Sequence, residues 1–150
     1  MGHLNFRPVI EGLGEGDYKV NFYSIDSTES GGHSRGISVV MEQELGDQYL
    51  TTFRYSGADQ RRTATKQFVA ASLMRRGIFK WKDDLLGIGA GWGDPTDSDL
   101  RDEYVLEAFW RVQLTPSLQI TPNAQLWLNP SKSPSSDVEA VFTLRATIDF

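Results

Sequence analysis

Residues 103–115 read EYVLEAFWRVQLT, and in this stretch the character of the side chain alternates at nearly every step. One set of alternate positions holds Tyr104, Leu106, Ala108, Trp110, Val112 and Leu114. The other set holds Glu103, Glu107, Arg111, Gln113 and Thr115, together with Val105 and Phe109. Successive side chains of a β-strand point to opposite faces, so this period of two predicts a strand with one apolar and one polar face.

The same alternation recurs on both sides of this stretch. Downstream it covers Leu118 to Asn129 and Val138 to Phe150. Upstream it is weaker and covers Leu4 to Ile10, Tyr18 to Tyr23, Ile37 to Leu45, Tyr49 to Tyr55, Lys66 to Arg76 and Leu86 to Trp92. The faces of the segment from Lys66 to Arg76 are ambiguous. The sequence therefore predicts about nine strands and no helix longer than a turn.

The connections between these segments alternate in length. The longer polar ones are Asp26 to Arg35, Gly57 to Thr65, Gly93 to Asp102 and Pro130 to Asp137. The shorter ones are Gly12 to Gly16, Gly46-Asp47, Gly77 to Asp83 and Pro116-Ser117. Long outer loops and short periplasmic turns are typical of an antiparallel up-and-down transmembrane β-barrel. Strands of about 9 to 13 residues are also long enough to cross a bilayer when tilted.

Composition is compatible with this membrane architecture. The 150 residues form one predicted domain with no cysteine and a net charge of -5, which excludes a disulfide scaffold and gives no basic footprint for nucleic acid. No apolar run approaches the length of a transmembrane helix, and the mean hydropathy of -0.37 suits strands whose two faces differ. Arg7 and Pro8 interrupt the first ten residues, so we expect no export signal there.

The register of the strands and the aromatic residues agree with a bilayer. A slip of one residue in the last strand would turn Glu139, Arg145 and Asp149 toward lipid, and a mid-bilayer arginine costs about 2–4 kcal/mol. Aromatic residues collect at membrane interfaces. We expect Tyr18, Tyr49 and Phe150 at the periplasmic rim, Trp92 and Tyr104 at the outer rim, and Phe79 and Trp81 in a periplasmic turn.

The run from Gly87 to Pro130, GIGAGWGDPTDSDLRDEYVLEAFWRVQLTPSLQITPNAQLWLNP, resembles the carbohydrate-selective porin family of the OprB type. The similarity includes the turn Leu114-Thr115-Pro116, Thr121-Pro122 in the next strand and the loop that opens at Asn129-Pro130. Weaker similarities are Gly16-Asp17-Tyr18-Lys19 and Phe53-Arg54-Tyr55. These elements follow the order of the family over most of the chain.

This resemblance implies a porin for carbohydrate solutes in the outer membrane of a Gram-negative-type bacterium. It implies a 16-stranded barrel, of which the chain would supply about nine strands as the C-terminal part of a longer porin. The last strand, which ends at Phe150, is similar to the strand that the outer-membrane assembly machinery reads in this class. The resemblance also allows a homo-oligomer in contact with outer-membrane lipid.

In such a barrel the polar stripes line the channel. The residues expected there are Lys19, Tyr23, Glu42, Glu44, Arg54, Glu107, Arg111, Trp127, Glu139 and Arg145. The charges would hold water and bond to sugar hydroxyls, while Tyr23 and Trp127 offer stacking surfaces. The alternative is that the charges only pair across neighbouring strands and keep the wall solvated.

Two other architectures fit the same alternation. A soluble lipocalin-like ligand-binding barrel would place the apolar stripes inside and the charges outside. Alternatively, eight of the strands could close into a small outer-membrane barrel plugged by its own side chains.

Patterns for other chemistry are weak, so we expect no enzyme, cofactor or metal site. His3 and His33 are isolated, and the acidic loop from Asp94 to Glu103 lacks the spacing of an EF-hand, although a divalent cation there stays an alternative. The glycines between Gly87 and Gly93 alternate strictly and do not complete a dinucleotide-binding motif. Small inward-facing residues on a curved strand explain them better.

Overall fold

In the computed structural model the described residues form one antiparallel sheet of ten strands. The structure describes residues 1–26, 33–59, 64–78, 83–131, Ser133 and 135–149. The strands are β1 (Gly2–Phe6), β2 (Val9–Ile10), β3 (Gly14–Asp26), β4 (His33–Leu45), β5 (Tyr49–Ala58), β6 (Thr65–Arg76), β7 (Leu85–Pro95), β8 (Glu103–Thr115), β9 (Leu118–Leu128) and β10 (Val138–Ile148).

The sheet is a simple meander, as predicted. From β3 onward each strand pairs with the next one in the chain, and β1 and β2 both pair with β3. The segment predicted as one strand, Leu4 to Ile10, is interrupted at Arg7 and Pro8. Pro8 has no N–H for the ladder, and its carbonyl instead accepts a hydrogen bond from the Gly16 amide at 2.8 Å. β1 and β2 thus occupy a single position beside β3 in the sheet, and that position is interrupted at Arg7 and Pro8.

The sheet is open rather than closed. Within the described part of the chain, β10 pairs with β9 alone, and β1 forms the opposite edge. The small eight-stranded barrel needs its first and last strands to pair, and no such pairing joins the described strands. No bilayer-spanning apolar helix occurs in the described ranges.

The register separates two faces, and one of them is apolar across the sheet. A single row of cross-strand partners runs through Tyr18, Met41, Phe53, Ala71, Ala90, Leu106, Leu126 and Ala140. We call this side the apolar face. This row also resolves β6, whose Val69, Ala71 and Leu73 belong to the apolar face.

The apolar face does not fold inward to make a core. Phe142 and Leu144 in β10 are 80% and 72% exposed, whereas the buried hydrophobic residues in the described ranges are Met74, Leu85 and Val112. A soluble ligand-binding barrel would gather the apolar stripe in a dry interior. The structure exposes that stripe, as the membrane interpretation requires.

The lengths of the connections between strands alternate as predicted, with one departure. The β6–β7 connection, residues 77–84, is as long as the connections at the opposite end. Its closing residue, Asp84, is fully buried and accepts hydrogen bonds from the Ile78 amide and the Trp110 indole, both at 3.0 Å. This carboxylate ties the connection to β8.

Aromatic residues lie at both ends of the apolar face. Tyr49 begins β5 at the short-turn end, and the Arg75 guanidinium lies 5.7 Å from the centre of its ring. Trp92 and Tyr104 are cross-strand partners near the other end. The predicted positions of Phe79, Trp81 and Phe150 fall outside the described residues.

Candidate functional site

The second face of the sheet, here called the polar face, contains all ten residues expected to line a channel. One row of cross-strand partners brings together Lys19, Val40, Arg54, Ala70, Gly91, Val105, Trp127 and Glu139. The other six candidates lie on the same face by the alternation of their strands. Their contact with a solute stays a prediction.

The middle of the polar face is a strip of small residues. Gly87, Gly89, Gly91 and Gly93 of β7 all point to this side. The ring of Phe109 lies over Gly87, where an added β-carbon would clash with it, and the ring of Phe68 lies beside Gly91. The glycines of β7 thus lie on the polar face, and the rings of Phe68 and Phe109, which the sequence pattern did not single out, cover part of them.

The space over Gly87 gives a first testable prediction. Gly87→Ala places a methyl group against Phe109 and against Met74 Cγ at 3.0 Å, so we expect a loss of about 1–3 kcal/mol of stability from overpacking. Gly93→Ala is the matched control, because its nearest neighbour would lie at 3.6 Å, an ordinary contact. Urea unfolding of both variants in lipid vesicles measures the difference. Equal stability of the two variants would show that the ring does not occupy that space.

A hydrogen-bonded chain of polar side chains crosses β8 and β9 on this face. The side-chain amides of Asn123 and Gln125 both donate to Glu107 Oε1, the second at 3.1 Å. The Trp127 indole donates to Gln125 Oε1 at 3.1 Å. These hydrogen bonds orient the Trp127 ring and satisfy Glu107 without a cationic partner. Tyr23 is also fixed, since its ring lies against Gly36.

The charges on the polar face do not simply neutralise one another. Lys19 pairs with Asp17 at 2.8 Å, and Glu44 pairs with Arg76 at 3.3 Å, so each bonds to a residue outside the predicted set. In the ranges that the structure describes, Arg54, Arg111 and Arg145 form no ion pair. Among the described side chains, Lys19 and Glu44 are therefore paired, as the alternative interpretation of these charges expects, while the three arginines are not.

A broad open cavity of about 700 Å³ lies on the polar face. Its lining includes Glu42, Arg54, Glu107, Arg111 and Arg145 from the predicted set. Thr52, Ser72 and Asn123 add uncharged polar groups, and the hydroxyls of Thr52 and Ser72 lie 2.7 Å apart. Such a surface offers donors, acceptors and both signs of charge to a hydrated solute.

The acidic loop between β7 and β8 uses its carboxylates in local contacts. Asp94 pairs with Lys66 at 3.4 Å, Asp102 accepts a hydrogen bond from the Trp92 indole at 3.0 Å, and Asp97 accepts one from the Asp99 amide. Across the described residues, no group of three acidic or histidine side chains is arranged to hold a metal ion.

Comparison with known proteins adds three findings. The family model described as "Carbohydrate-selective porin, OprB family" matches residues 11–150. Porin AaxA of Chlamydia abortus is 26% identical over 153 residues, which cover 97% of this chain and 34% of that protein. Porin AaxA of Chlamydia pneumoniae is 26% identical over 160 residues, which cover 98% of this chain and 35% of that protein.

A solved structure shares the fold. OprB of Pseudomonas putida, in its high-pH structure, superposes with a TM-score of 0.83 at 17% sequence identity. The match covers 99% of this chain and 47% of the OprB chain. The chain thus spans about a third of the curated relatives and about half of the solved barrel.

Proposed function

The chain belongs to the carbohydrate-selective porin family of the OprB type, and from that premise we propose that it forms part of the wall of a sugar-conducting outer-membrane channel. The family and the fold are those of a channel rather than of an enzyme. The proposal adds that the polar face contacts the solute and the apolar face contacts lipid.

One observation supports this proposal above the others: the separation of the two faces. The row from Tyr18 to Ala140 contains no charged side chain, while the ten candidate lining residues all occupy the opposite face. A charged residue on the lipid side of a barrel is destabilising, whereas the lumen side tolerates charge and tunes selectivity. The observed pattern matches a wall between lipid and water.

The direction of the strands sets a condition on the rest of the wall. The path from β1 to β10 contains nine antiparallel positions, so its first and last strands run in the same direction. Closing a fully antiparallel barrel therefore needs an odd number of further strands. A 16-stranded barrel, the size that the family resemblance implies, would need seven.

Passage of sugar along the polar face would use many weak contacts. Hydroxyl groups of a sugar can exchange hydrogen bonds with water for bonds to Thr52, Ser72 and Gln125 at little net cost. The Trp127 ring, held by Gln125, offers a flat surface for the apolar face of a sugar ring. Each contact is weak enough to release the solute to the next one.

Conductance through the full product of the gene in a planar bilayer tests this function. We expect a stable pore whose current falls reversibly when glucose is added, because the sugar occupies the polar lumen. Trp127→Ala should weaken this block several-fold. Trp92→Ala, a matched change on the apolar face, should leave it unchanged. A pore whose current is insensitive to sugar would contradict the carbohydrate assignment.

Outer-membrane insertion involves two further proposed partners. The apolar face would contact outer-membrane lipid, and the exposed edge of β10 would present the C-terminal strand to the outer-membrane assembly machinery. Assembly of several copies into a homo-oligomer is compatible with the exposed apolar face.

A further inference from the structure

One row of the polar face concentrates positive charge near the short-turn end. The cross-strand register places Arg76, Leu85 and Arg111 side by side on β6, β7 and β8. Thr121 of β9 lies beside Arg111 of β8 in the β8–β9 ladder. On its other side, Thr121 pairs with Arg145 of β10. Arg111 and Arg145 therefore flank Thr121, with their Cα atoms two strand spacings, about 10 Å, apart.

Only one of these three arginines has an ion-pair partner among the described residues. Arg76 is ion-paired with Glu44 at 3.3 Å. Arg111 and Arg145 have no ion pair among the described residues. The Nε atom of Arg111 is also buried without a hydrogen-bond acceptor in the described part of the chain. A buried donor without a partner is costly, so this position favours a solute that supplies an acceptor.

A second unsatisfied polar atom, an acceptor, lies on the neighbouring strand β9. Asn123 follows Thr121 by two residues on the same face of β9 and is the cross-strand partner of Phe109. Its amide nitrogen donates to Glu107, while its Oδ1 atom is buried and has no donor among the described residues. Arg111, Asn123, Thr121 and Arg145 all line the same cavity.

We propose that Arg111 and Arg145 bind the carboxylate of an acidic sugar, while Asn123 Oδ1 accepts a hydrogen bond from one of its hydroxyls. This inference rests on the proposed sugar channel and specifies the class of sugar. Guanidinium groups bind carboxylates through paired, charge-assisted hydrogen bonds. The long side chains of Arg111 and Arg145 can converge on one carboxylate across the spacing given above.

The local charge balance favours a carboxylate over a doubly charged phosphate. Glu107 lies two residues from Arg111 on the same face, and its Oε1 atom is occupied by the amides of Asn123 and Gln125. Two arginines and one glutamate leave a net charge of about one positive unit. This excess matches a hexuronate, which carries a single negative charge together with several hydroxyls.

The test compares the block of single-channel current by glucuronate, glucose and acetate in the full product of the gene. We expect glucuronate to block about tenfold more tightly than glucose, the difference that one added charge-assisted hydrogen bond supplies. Acetate has the carboxylate without the hydroxyls and should block far more weakly than glucuronate. Arg111→Gln should remove most of the advantage of glucuronate over glucose.

Two further variants keep the test decisive. Arg145→Gln changes an exposed side chain, so it tests the same site even where Arg111→Gln impairs folding. Arg75→Gln is the matched control, because it removes the same charge from the apolar face near the same end and should preserve the preference for glucuronate.

The possible outcomes separate this inference from the function on which it depends. Equal block by glucuronate and glucose, equal block by acetate and glucuronate, or an unchanged preference in both Arg111→Gln and Arg145→Gln would overturn the acidic-sugar site. Block by glucose in any of these cases would still support the channel. A pore that neither sugar blocks would overturn both.

Discussion

Phe142→Arg is expected to lower the stability of the membrane-embedded protein by about 2–4 kcal/mol, the cost of an arginine on the lipid side of a barrel near the bilayer midplane. Phe142 lies in the middle of β10, on the apolar face, where it is the partner of Ala124 and is 80% exposed. Because few protein contacts hold this side chain, loss of packing contributes little. The expected penalty comes from placing a charge in hydrocarbon.

Thr143→Arg is the matched control, one residue further along the same strand. Thr143 pairs with Asn123 on the polar face, and an arginine there would point into water. We expect a change within about 0.5 kcal/mol, as for most exposed substitutions. Urea unfolding of both variants in lipid vesicles compares them directly. A larger loss for Thr143→Arg than for Phe142→Arg would reverse the assignment of the two faces and remove the basis of the channel proposal.

Asp84→Ala is expected to cause the second large effect, by removing the acceptor that fastens the β6–β7 connection to β8. The Asp84 side chain accepts hydrogen bonds from the Ile78 amide and the Trp110 indole, and it is fully buried. Alanine leaves both donors without this acceptor, at a cost of about 1–3 kcal/mol for each. The unfolding midpoint in urea should fall accordingly.

Neighbouring substitutions distinguish the loss of these Asp84 hydrogen bonds from a general effect of removing a negative charge. Asp83→Ala changes the adjacent, exposed carboxylate and should have almost no effect on stability. Asp84→Asn keeps one oxygen acceptor and should fall between the wild-type protein and Asp84→Ala. Equal stability of Asp83→Ala and Asp84→Ala would show that the hydrogen bonds of Asp84 do not contribute to the stability of the fold.

The sequence predicted most of the strands, because period-two alternation is a direct consequence of strand geometry. β8 begins and ends where the alternation does, from Glu103 to Thr115. The prediction was weaker for β3, which extends from Gly14 to Asp26 although clear alternation covers only Tyr18 to Tyr23. There the glycine-rich start carries too few side chains to show a period.

The faces of β6 could not be assigned from the sequence. Phe68, Ala70 and Met74 are apolar, yet they lie on the polar face, where Phe68 and Met74 pack near the glycines of β7. Small residues on one strand make room for large apolar residues on the next, and that compensation appears only when the two strands are aligned. The packing of large side chains over the glycines of β7 and the ambiguous pattern of β6 therefore have the same cause.

Alternation along the chain was enough to predict an all-β meander and to separate the ten candidate residues from the apolar residues, but not to decide which face meets lipid. The tertiary structure alone decided which polar groups lack partners. Arg111 and Arg145 are 34 positions apart in the chain, and the unsatisfied Asn123 Oδ1 atom lies on the strand between them. Hydrogen bonds and ion pairs on a sheet form across strands, so they depend on register and side-chain reach, which no single strand's pattern contains.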